Sequence, residues 1–138
     1  MQSTRRTVLA GAGAAGVAAV GGCGGSAQSP APTTAHPGAI RTADIPVGGG
    51  RIFPDLDPDG TVITQPTAGR YLAFSGTCTH RGCFLASVAD GTINCPCHGA
   101  RYSIADGSVV QPGDGVPTDT TALARKQVTV SGDTLTVD

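Results

Sequence analysis

Two short segments of the chain combine cysteine and histidine at spacings that suit metal binding. Box 1 reads C-T-H-R-G-C over residues 78–83, and box 2 reads C-P-C-H-G over residues 95–99. The pairs with ligand spacing are Cys78 with His80 and Cys95 with His98. Since each pair fits on one turn, both of its side chains can converge on one ion or on one face of a cluster. The segment 84–94 between the boxes is long enough for a short hairpin that brings them side by side.

Three kinds of site are compatible with these residue types. Two cysteines and two histidines can form a structural zinc site. The cysteines can instead form purely structural disulfides, with incidental histidines beside them. A two-iron, two-sulfur cluster can also be held with two cysteines on one iron and two histidines on the other. The residue types leave all three open.

The two boxes resemble those of the Rieske iron–sulfur family, whose pattern C-T-H-x-G-C followed by C-P-C-H-G is complete here. The similarity is good over about residues 70 to 138 and weak upstream. The resemblance implies one [2Fe–2S] cluster with Cys78 and Cys95 on one iron, His80 and His98 on the other, and a disulfide between Cys83 and Cys97. It also implies an antiparallel β-sandwich or barrel, with a cluster-binding subdomain at about 76–112 and the histidines facing solvent at one tip.

Three neighbouring positions bear on the redox potential that the resemblance implies. Two imidazoles in place of two thiolates raise the potential of such a cluster to about −150 to +300 mV, against about −400 mV for plant-type ferredoxins. High-potential members usually read C-P-C-H-G-S-x-Y; here Tyr102 is kept, but Ala100 replaces the serine and cannot donate to sulfur. We therefore expect a potential in the middle of this range. Arg81 stands where respiratory members often have leucine, and it either favours the reduced cluster or is a solvated arginine without a role.

The N-terminus has the features of an export signal. Arg5 and Arg6 form a twin-arginine run, and residues 10–20 contain only Ala, Gly and Val. This apolar segment is shorter than the roughly 20 strongly apolar residues of a spanning helix. We interpret residues 1–22 as a signal peptide of the twin-arginine (Tat) type. An uncleaved anchor helix is the alternative.

The fifth cysteine, Cys23, closes a segment that resembles a bacterial lipobox, Val20-Gly21-Gly22-Cys23. Lipidation of Cys23 after cleavage would leave an even set of four cysteines, and the alternative is an incidental cysteine of the signal peptide. Residues 23–40 are rich in Pro, Ser, Ala and Thr and are interpreted as a flexible tether. The expected location is therefore the extracytoplasmic face of the cell membrane, an oxidising environment that suits the disulfide.

The remainder, residues 41–138, is predicted to be one small all-β domain. Short β-rich segments alternate with Asp-Gly turns at 90–91 and 106–107, and the C-terminal segments 127–130 and 134–137 alternate with period 2. The chain has 9 basic and 10 acidic residues and no tryptophan, so no basic patch for nucleic acid is visible and the core must be largely aliphatic. Residues 111–117 occupy the position of the family's third loop and are either a cluster lid or a plain connection.

These features predict an electron-transfer protein or an oxidoreductase subunit rather than a self-contained enzyme. A role as a subunit of a cytochrome bc-type quinol-oxidising complex and a role in an exported oxidoreductase both fit. The expected partners are a cytochrome or an oxidoreductase subunit, with quinol as a further candidate. The ferredoxin component of ring-hydroxylating dioxygenases fits poorly, because those proteins usually lack the disulfide cysteines. The alternative from another class is a zinc-stabilised binding module without redox function.

Overall fold

The computed structural model describes residues 39–115 and 120–138. The predicted signal peptide, Cys23 and nearly all of the tether lie outside the described residues, as does the end of the third loop at Val116 and Pro117. Within the described ranges, no helix has the length and apolar character needed to cross a membrane. The elements are β1 (Ile40–Arg41), a 3-10 helix (Thr42–Asp44), β2 (Gly49–Phe53), β3 (Thr61–Thr67), β4 (Arg70–Ser75), β5 (Ser87–Ala89), β6 (Thr92–Asn94), β7 (Arg101–Ser103), β8 (Val109–Gln111), β9 (Arg125–Lys126), β10 (Val128–Ser131) and β11 (Thr134–Val137).

These strands form three antiparallel sheets, which confirms the all-β prediction. Their strand orders are β1-β11-β10, β2-β3-β4-β9 and β5-β6-β7-β8. The folded part begins slightly earlier than predicted, because Ile40 is buried and pairs with Leu135 of β11. The third sheet contains the predicted hairpin between the boxes. Its turn is Asp90-Gly91, where both residues have positive φ angles, 51° and 73°, as a two-residue hairpin loop requires.

The central strand β3 separates two apolar clusters. Side chains of a strand point alternately to opposite faces, so Val62 and Ile63 face opposite sides of the sheet. Val62 and Phe74 belong to the cluster beneath the boxes, and Ile63 belongs to the cluster that contains Ile40 and Leu135. The residues 61–65 are all buried, so this strand is covered on both faces. The apolar cluster beneath the boxes includes Cys78 and Cys95, so it packs directly against two of the metal-ligand candidates.

One ion pair fixes the loop before β3 that contacts the base of box 1. The Lys126 ammonium donates to the Asp57 carboxylate at 2.5 Å, and to the Gly60 carbonyl and the Thr61 hydroxyl oxygen at 2.8 Å each. The Gly60 carbonyl also accepts the N–H of Gly76 at 2.9 Å, where the chain leaves β4 for box 1. A Cβ at Gly76 would lie 2.8 Å from the carbonyl carbon of Gly60, so this crossing has room only for glycine. Lys126 therefore stabilises the base of box 1.

Candidate metal centre

Box 1 is a closed loop whose backbone orients its cysteines. The N–H of Cys78 donates to the carbonyl of Cys83 at 2.7 Å, and the N–H of Gly82 donates to the carbonyl of Cys78 at 2.9 Å. Gly82 has a φ angle of 73°, a left-handed conformation that glycine adopts without steric cost. The loop leaves Cys78 with 1% of its surface exposed and turns Cys83 towards box 2.

Box 2 forms the turn between β6 and β7. The N–H of Cys95 donates to the carbonyl of Ala100 at 2.9 Å, and Gly99 reverses the chain with a φ angle of 74°. Cys95 is 3% exposed. The structure contains the expected disulfide between Cys83 and Cys97, with the Cα atoms 6.5 Å apart. This disulfide fastens the two boxes to each other.

The two box histidines lie side by side with unpaired ring nitrogens. The ring centroids of His80 and His98 are 4.9 Å apart, and the ring planes meet at 83°. Both nitrogens of His80 and Nδ1 of His98 are buried without a hydrogen-bond partner. Burial of an unpaired polar atom costs free energy. Coordination of a metal through one nitrogen of each ring would remove part of that cost, so the two rings fit a metal centre.

The expectation that both histidines face solvent is wrong for His80, which is only 7% exposed. The cause is the third loop, since Gly113 lies directly against the imidazole ring. A Cβ at Gly113 would lie 2.5 Å from Nδ1 of His80. His98 is partly exposed and is the more accessible of the two rings.

The two cysteines outside the disulfide provide buried thiols in the same two boxes as the histidines. Cys78 and Cys95 are both free and buried. The sulfurs of Cys83, Cys95 and Cys97 lie within 4.8 Å of one another, but two of them form the disulfide, so only Cys95 of this group can offer a thiolate. Burial raises the pKa of the Cys95 thiol, and the neighbouring Cys78 raises it further, against backbone N–H groups that lower it. A bound cation would reverse this preference and stabilise the thiolates.

Tyr102 reaches the sulfur of Cys78 from the core. Its hydroxyl lies 3.1 Å from Sγ of Cys78 and 3.1 Å from Oγ1 of Thr79. Burial, and then the hydrogen bond with Cys78, raises the pKa of Tyr102 to about 12, so the phenol keeps its proton and can donate. Ala100 is fully buried and has no side-chain donor to offer. The Tyr102 hydroxyl is thus within hydrogen-bond distance of the Cys78 sulfur, and the effect of either residue on the potential stays a prediction.

The third loop is attached to both boxes through residues 111–115. Besides the contact of Gly113 with His80, the N–H of Asp114 donates to the carbonyl of His98 at 2.8 Å. The side-chain amide of Gln111 donates to the carbonyl of Gly99 at 3.2 Å. These contacts favour the lid interpretation over a plain connection.

Sequence reasoning missed the part that Thr79 and Thr121 play. The side chain of Thr79, between the two ligand candidates of box 1, is joined to the backbone of Thr121 by two hydrogen bonds, of 2.5 Å and 3.1 Å. The two residues are 42 positions apart, and no local pattern around Thr121 indicates the contact. The only signal was the presence of a hydroxyl residue inside box 1.

The surface next to the centre carries a cation and an apolar side chain. Arg81 is exposed, and no carboxylate of the described residues forms an ion pair with it. Phe84, just after box 1, is 58% exposed. A partner that docks here would meet positive charge as well as apolar surface.

Comparison with known proteins identifies the family. A family model described as the Rieske [2Fe-2S] domain matches residues 39–122, more than half of the chain. A Haloferax mediterranei protein described as a Rieske subunit of respiratory nitrate reductase is 36% identical over 72 residues, which cover 52% of this chain and 31% of that protein. The cytochrome b6-f complex iron-sulfur subunit of Chlorobaculum thiosulfatiphilum is 29% identical over 98 residues, which cover 70% of this chain and 50% of that protein. The chain thus spans at most half the length of these two curated relatives.

A solved structure supports the fold independently. The ferredoxin of carbazole 1,9a-dioxygenase from Nocardioides aromaticivorans IC177 superposes with a TM-score of 0.53 over 72% of this chain and 93% of that chain, at 20% sequence identity. At this identity the similarity concerns the fold alone. Together with the family match and the donor set of the two boxes, it leads to one conclusion: the chain belongs to the Rieske family, whose domain binds one [2Fe–2S] cluster.

Proposed function

We propose that the chain transfers single electrons through a [2Fe–2S] cluster held by Cys78 and Cys95 on one iron and by His80 and His98 on the other. The observation that carries this assignment is that the same two boxes, fastened by a disulfide, hold both the unpaired, buried ring nitrogens and two free, buried thiols. When bound, the cluster supplies a centre that accepts and releases one electron. The imidazoles contribute no negative charge, so the site favours the extra electron more than four thiolates would.

The surrounding residues hold the four ligands in place and limit access of water. The disulfide keeps the boxes together, and the third loop covers His80 through Gly113. His98 remains partly exposed and gives electrons the more direct path to a partner. Arg81 within box 1 and Phe84 just after it form the surface that meets this partner.

For the physiological role, we propose a subunit of a respiratory oxidoreductase, with a cytochrome or another oxidoreductase subunit as partner. The relatives named above, a nitrate reductase subunit and a cytochrome b6-f subunit, support this class. A quinol-oxidising complex of the bc type and an exported oxidoreductase are the two assemblies in question. A midpoint potential near the top of the Rieske range that falls with pH near neutrality would favour quinol oxidation, and a low, pH-independent value would contradict it.

The ligand assignment can be tested by metal analysis of purified variants. We expect each of the following to lose iron, acid-labile sulfide and the rhombic EPR signal of the reduced protein: Cys78→Ser, His80→Ala, Cys95→Ser and His98→Ala. His36→Ala, which changes the third histidine of the chain outside both boxes, is the matched control and should retain all three. A colourless wild-type protein with bound zinc would contradict the assignment and favour the zinc-stabilised module.

We further propose that the domain lies on the extracytoplasmic face of the cell membrane, tethered by lipidated Cys23. The twin arginines and the lipobox support export and lipidation, and the disulfide is suited to an oxidising compartment. Cys23→Ser should release the protein from the membrane fraction, whereas Arg5→Lys with Arg6→Lys should leave it in the cytoplasm. Unchanged membrane retention of the Cys23→Ser variant would instead indicate an uncleaved anchor.

A further inference from the structure

Thr79 lies at a junction between the ligand box and the rest of the domain. Its hydroxyl oxygen is 2.5 Å from the carbonyl oxygen of Thr121, 3.1 Å from the backbone nitrogen of Thr121 and 3.1 Å from the hydroxyl oxygen of Tyr102. The hydroxyl of Tyr102 is also 3.1 Å from Sγ of Cys78. A short chain of hydrogen bonds therefore joins a proposed iron ligand to a backbone segment far along the sequence.

The number of protons available determines the direction of each bond. A threonine hydroxyl has one hydrogen to donate and two lone pairs to accept. The carbonyl of Thr121 can only accept, so it takes the hydrogen of Thr79, and the N–H of Thr121 then occupies one lone pair of Oγ1. The remaining lone pair faces Tyr102. Any hydrogen between Thr79 and Tyr102 is therefore the hydrogen of Tyr102.

This leaves one phenolic hydrogen and two acceptors at the same distance. Tyr102 can donate to Oγ1 of Thr79 or to the sulfur of Cys78, each 3.1 Å away. A metal-bound Cys78 is a thiolate, which accepts and has no hydrogen to offer. The hydroxyl of Thr79 thus takes a share of the only side-chain donor that reaches this sulfur within the described residues.

The position of Thr79 is fixed by the core of the domain. Two residues after Thr121, the side chain of Leu123 is 4% exposed within the cluster beneath the boxes, and its N–H donates to the carbonyl of Gly107 at 3.0 Å. The hydroxyl of Thr120 accepts the N–H of Gly113 at 3.3 Å, so the same segment also holds the third loop. Since Thr121 binds Thr79 through both backbone groups, the threonine hydroxyl cannot easily turn away from Tyr102.

We propose that Thr79 is a positioning residue that competes with the Cys78 sulfur for the hydroxyl hydrogen of Tyr102 and thereby lowers the reduction potential. Hydrogen bonds to the sulfurs of such clusters raise the potential. Removal of the competing acceptor directs the Tyr102 hydrogen fully to the sulfur and raises the midpoint. The proposal rests on the proposed function, because it assumes that Cys78 is an iron ligand.

The test uses the purified, iron-loaded protein and two substitutions at position 79. Thr79→Val keeps the shape and removes the hydroxyl, whereas Thr79→Ser keeps the hydroxyl and serves as the matched control. We expect an upward shift of the midpoint potential in Thr79→Val and an unchanged midpoint in Thr79→Ser, with wild-type iron and sulfide contents in both. An unchanged or lowered midpoint in fully loaded Thr79→Val would overturn the proposal.

A double-mutant cycle separates competition from a general loosening of the loop. Tyr102→Phe removes the shared hydrogen, so Thr79→Val should no longer shift the midpoint in that background. The same upward shift in both backgrounds would contradict competition. Thr79→Ala is the second variant in case valine disturbs the loop, and loss of iron from both variants would assign Thr79 a structural role instead. Absence of iron and sulfide from the wild type would refute the proposed function itself, which is a different outcome.

Discussion

Replacement of Gly113 by alanine is expected to weaken the metal centre although alanine suits the backbone at this position. The φ angle of Gly113 does not lie in the left-handed region. In an unobstructed place of this kind, Gly→Ala stabilises a protein by about 0.4–1 kcal/mol, because the unfolded chain loses freedom. Here the new Cβ would lie 2.5 Å from Nδ1 and 2.9 Å from Cγ of His80. Either the ring or the third loop must therefore move.

The expected magnitude follows from the cost of overpacking. Extra atoms in a filled space cost about 1–3 kcal/mol, which exceeds the gain from the unfolded chain. If the His80 ring held iron, it could not turn away without disturbing that bond. A retreating loop breaks the bond from Asp114 to the His98 carbonyl. We expect a net cost of about 1–2 kcal/mol, which corresponds to a roughly 5- to 30-fold change in an equilibrium constant.

The assay measures iron release to a chelator, which is monitored as the loss of the visible absorbance of the loaded protein. Gly113→Ala should release iron faster than the wild type, and Pro112→Ala, a change at the exposed neighbouring residue, should not. In a His80→Ala background the ring is gone, so Gly113→Ala should then leave the free energy of unfolding unchanged or raise it slightly. Equal iron retention in Gly113→Ala and wild type, or a penalty that persists without the ring, would refute this reasoning.

Three further predictions concern the potential and the stability of the domain. Ala100→Ser should raise the midpoint potential, because it introduces a side-chain donor at a fully buried position next to the proposed ligand Cys95; redox titration checks this. Joint replacement of Cys83 and Cys97 by serine should cost roughly 3 kcal/mol in denaturant unfolding, as for a loop of about 15 residues. Lys126 lowers the pKa of Asp57, and Thr61 makes a smaller contribution in the same direction. The ion pair therefore stabilises the fold at pH values above the unfolded pKa of about 4. This contribution to the free energy of unfolding disappears as the pH falls through the folded pKa. Lys126→Met should cost about 1 kcal/mol at pH 7 and flatten the acid limb of the stability curve.

The ligand boxes and the hairpins could be predicted because their signals are local. Asp90-Gly91 has the backbone that its residue types indicate, and the segments around it pair as expected. Strand β2 was not predicted, since it begins with Gly49 and Gly50, which have low strand propensity. Gly50 has a tertiary reason to be there: a Cβ on it would lie 2.5 Å from the carbonyl oxygen of Ile63. Such close approach between strands leaves no pattern in the sequence.

The environment of the proposed ligands was less predictable than their residue types and spacing. The burial of His80 depends on the path of residues 111–115 across box 1. The hydrogen bonds that hold Thr79 come from Thr121, which is 42 positions away. Gly113 can lie against His80 because it has no side chain, and Thr121 binds Thr79 through its backbone. The residue types at positions 113 and 121 therefore carry little information about these contacts. The family pattern identifies what could bind iron, whereas the tertiary contacts determine how accessible and how strongly hydrogen-bonded the ligands are.

The competing influences on the potential differ in how strongly solvent screens them. Arg81 is exposed, and a unit charge in water at about 10 Å contributes only about 0.4 kcal/mol, which salt reduces further. A hydrogen bond to a charged group in a buried site is worth about 1.5–3 kcal/mol and is hardly screened. We therefore expect the donor missing at Ala100 and the donor shared at Tyr102 to outweigh the arginine and to keep the potential below the top of the range. Since rim charges act mainly on association rates, we expect Arg81 to affect the rate of association with a partner more than it affects the potential.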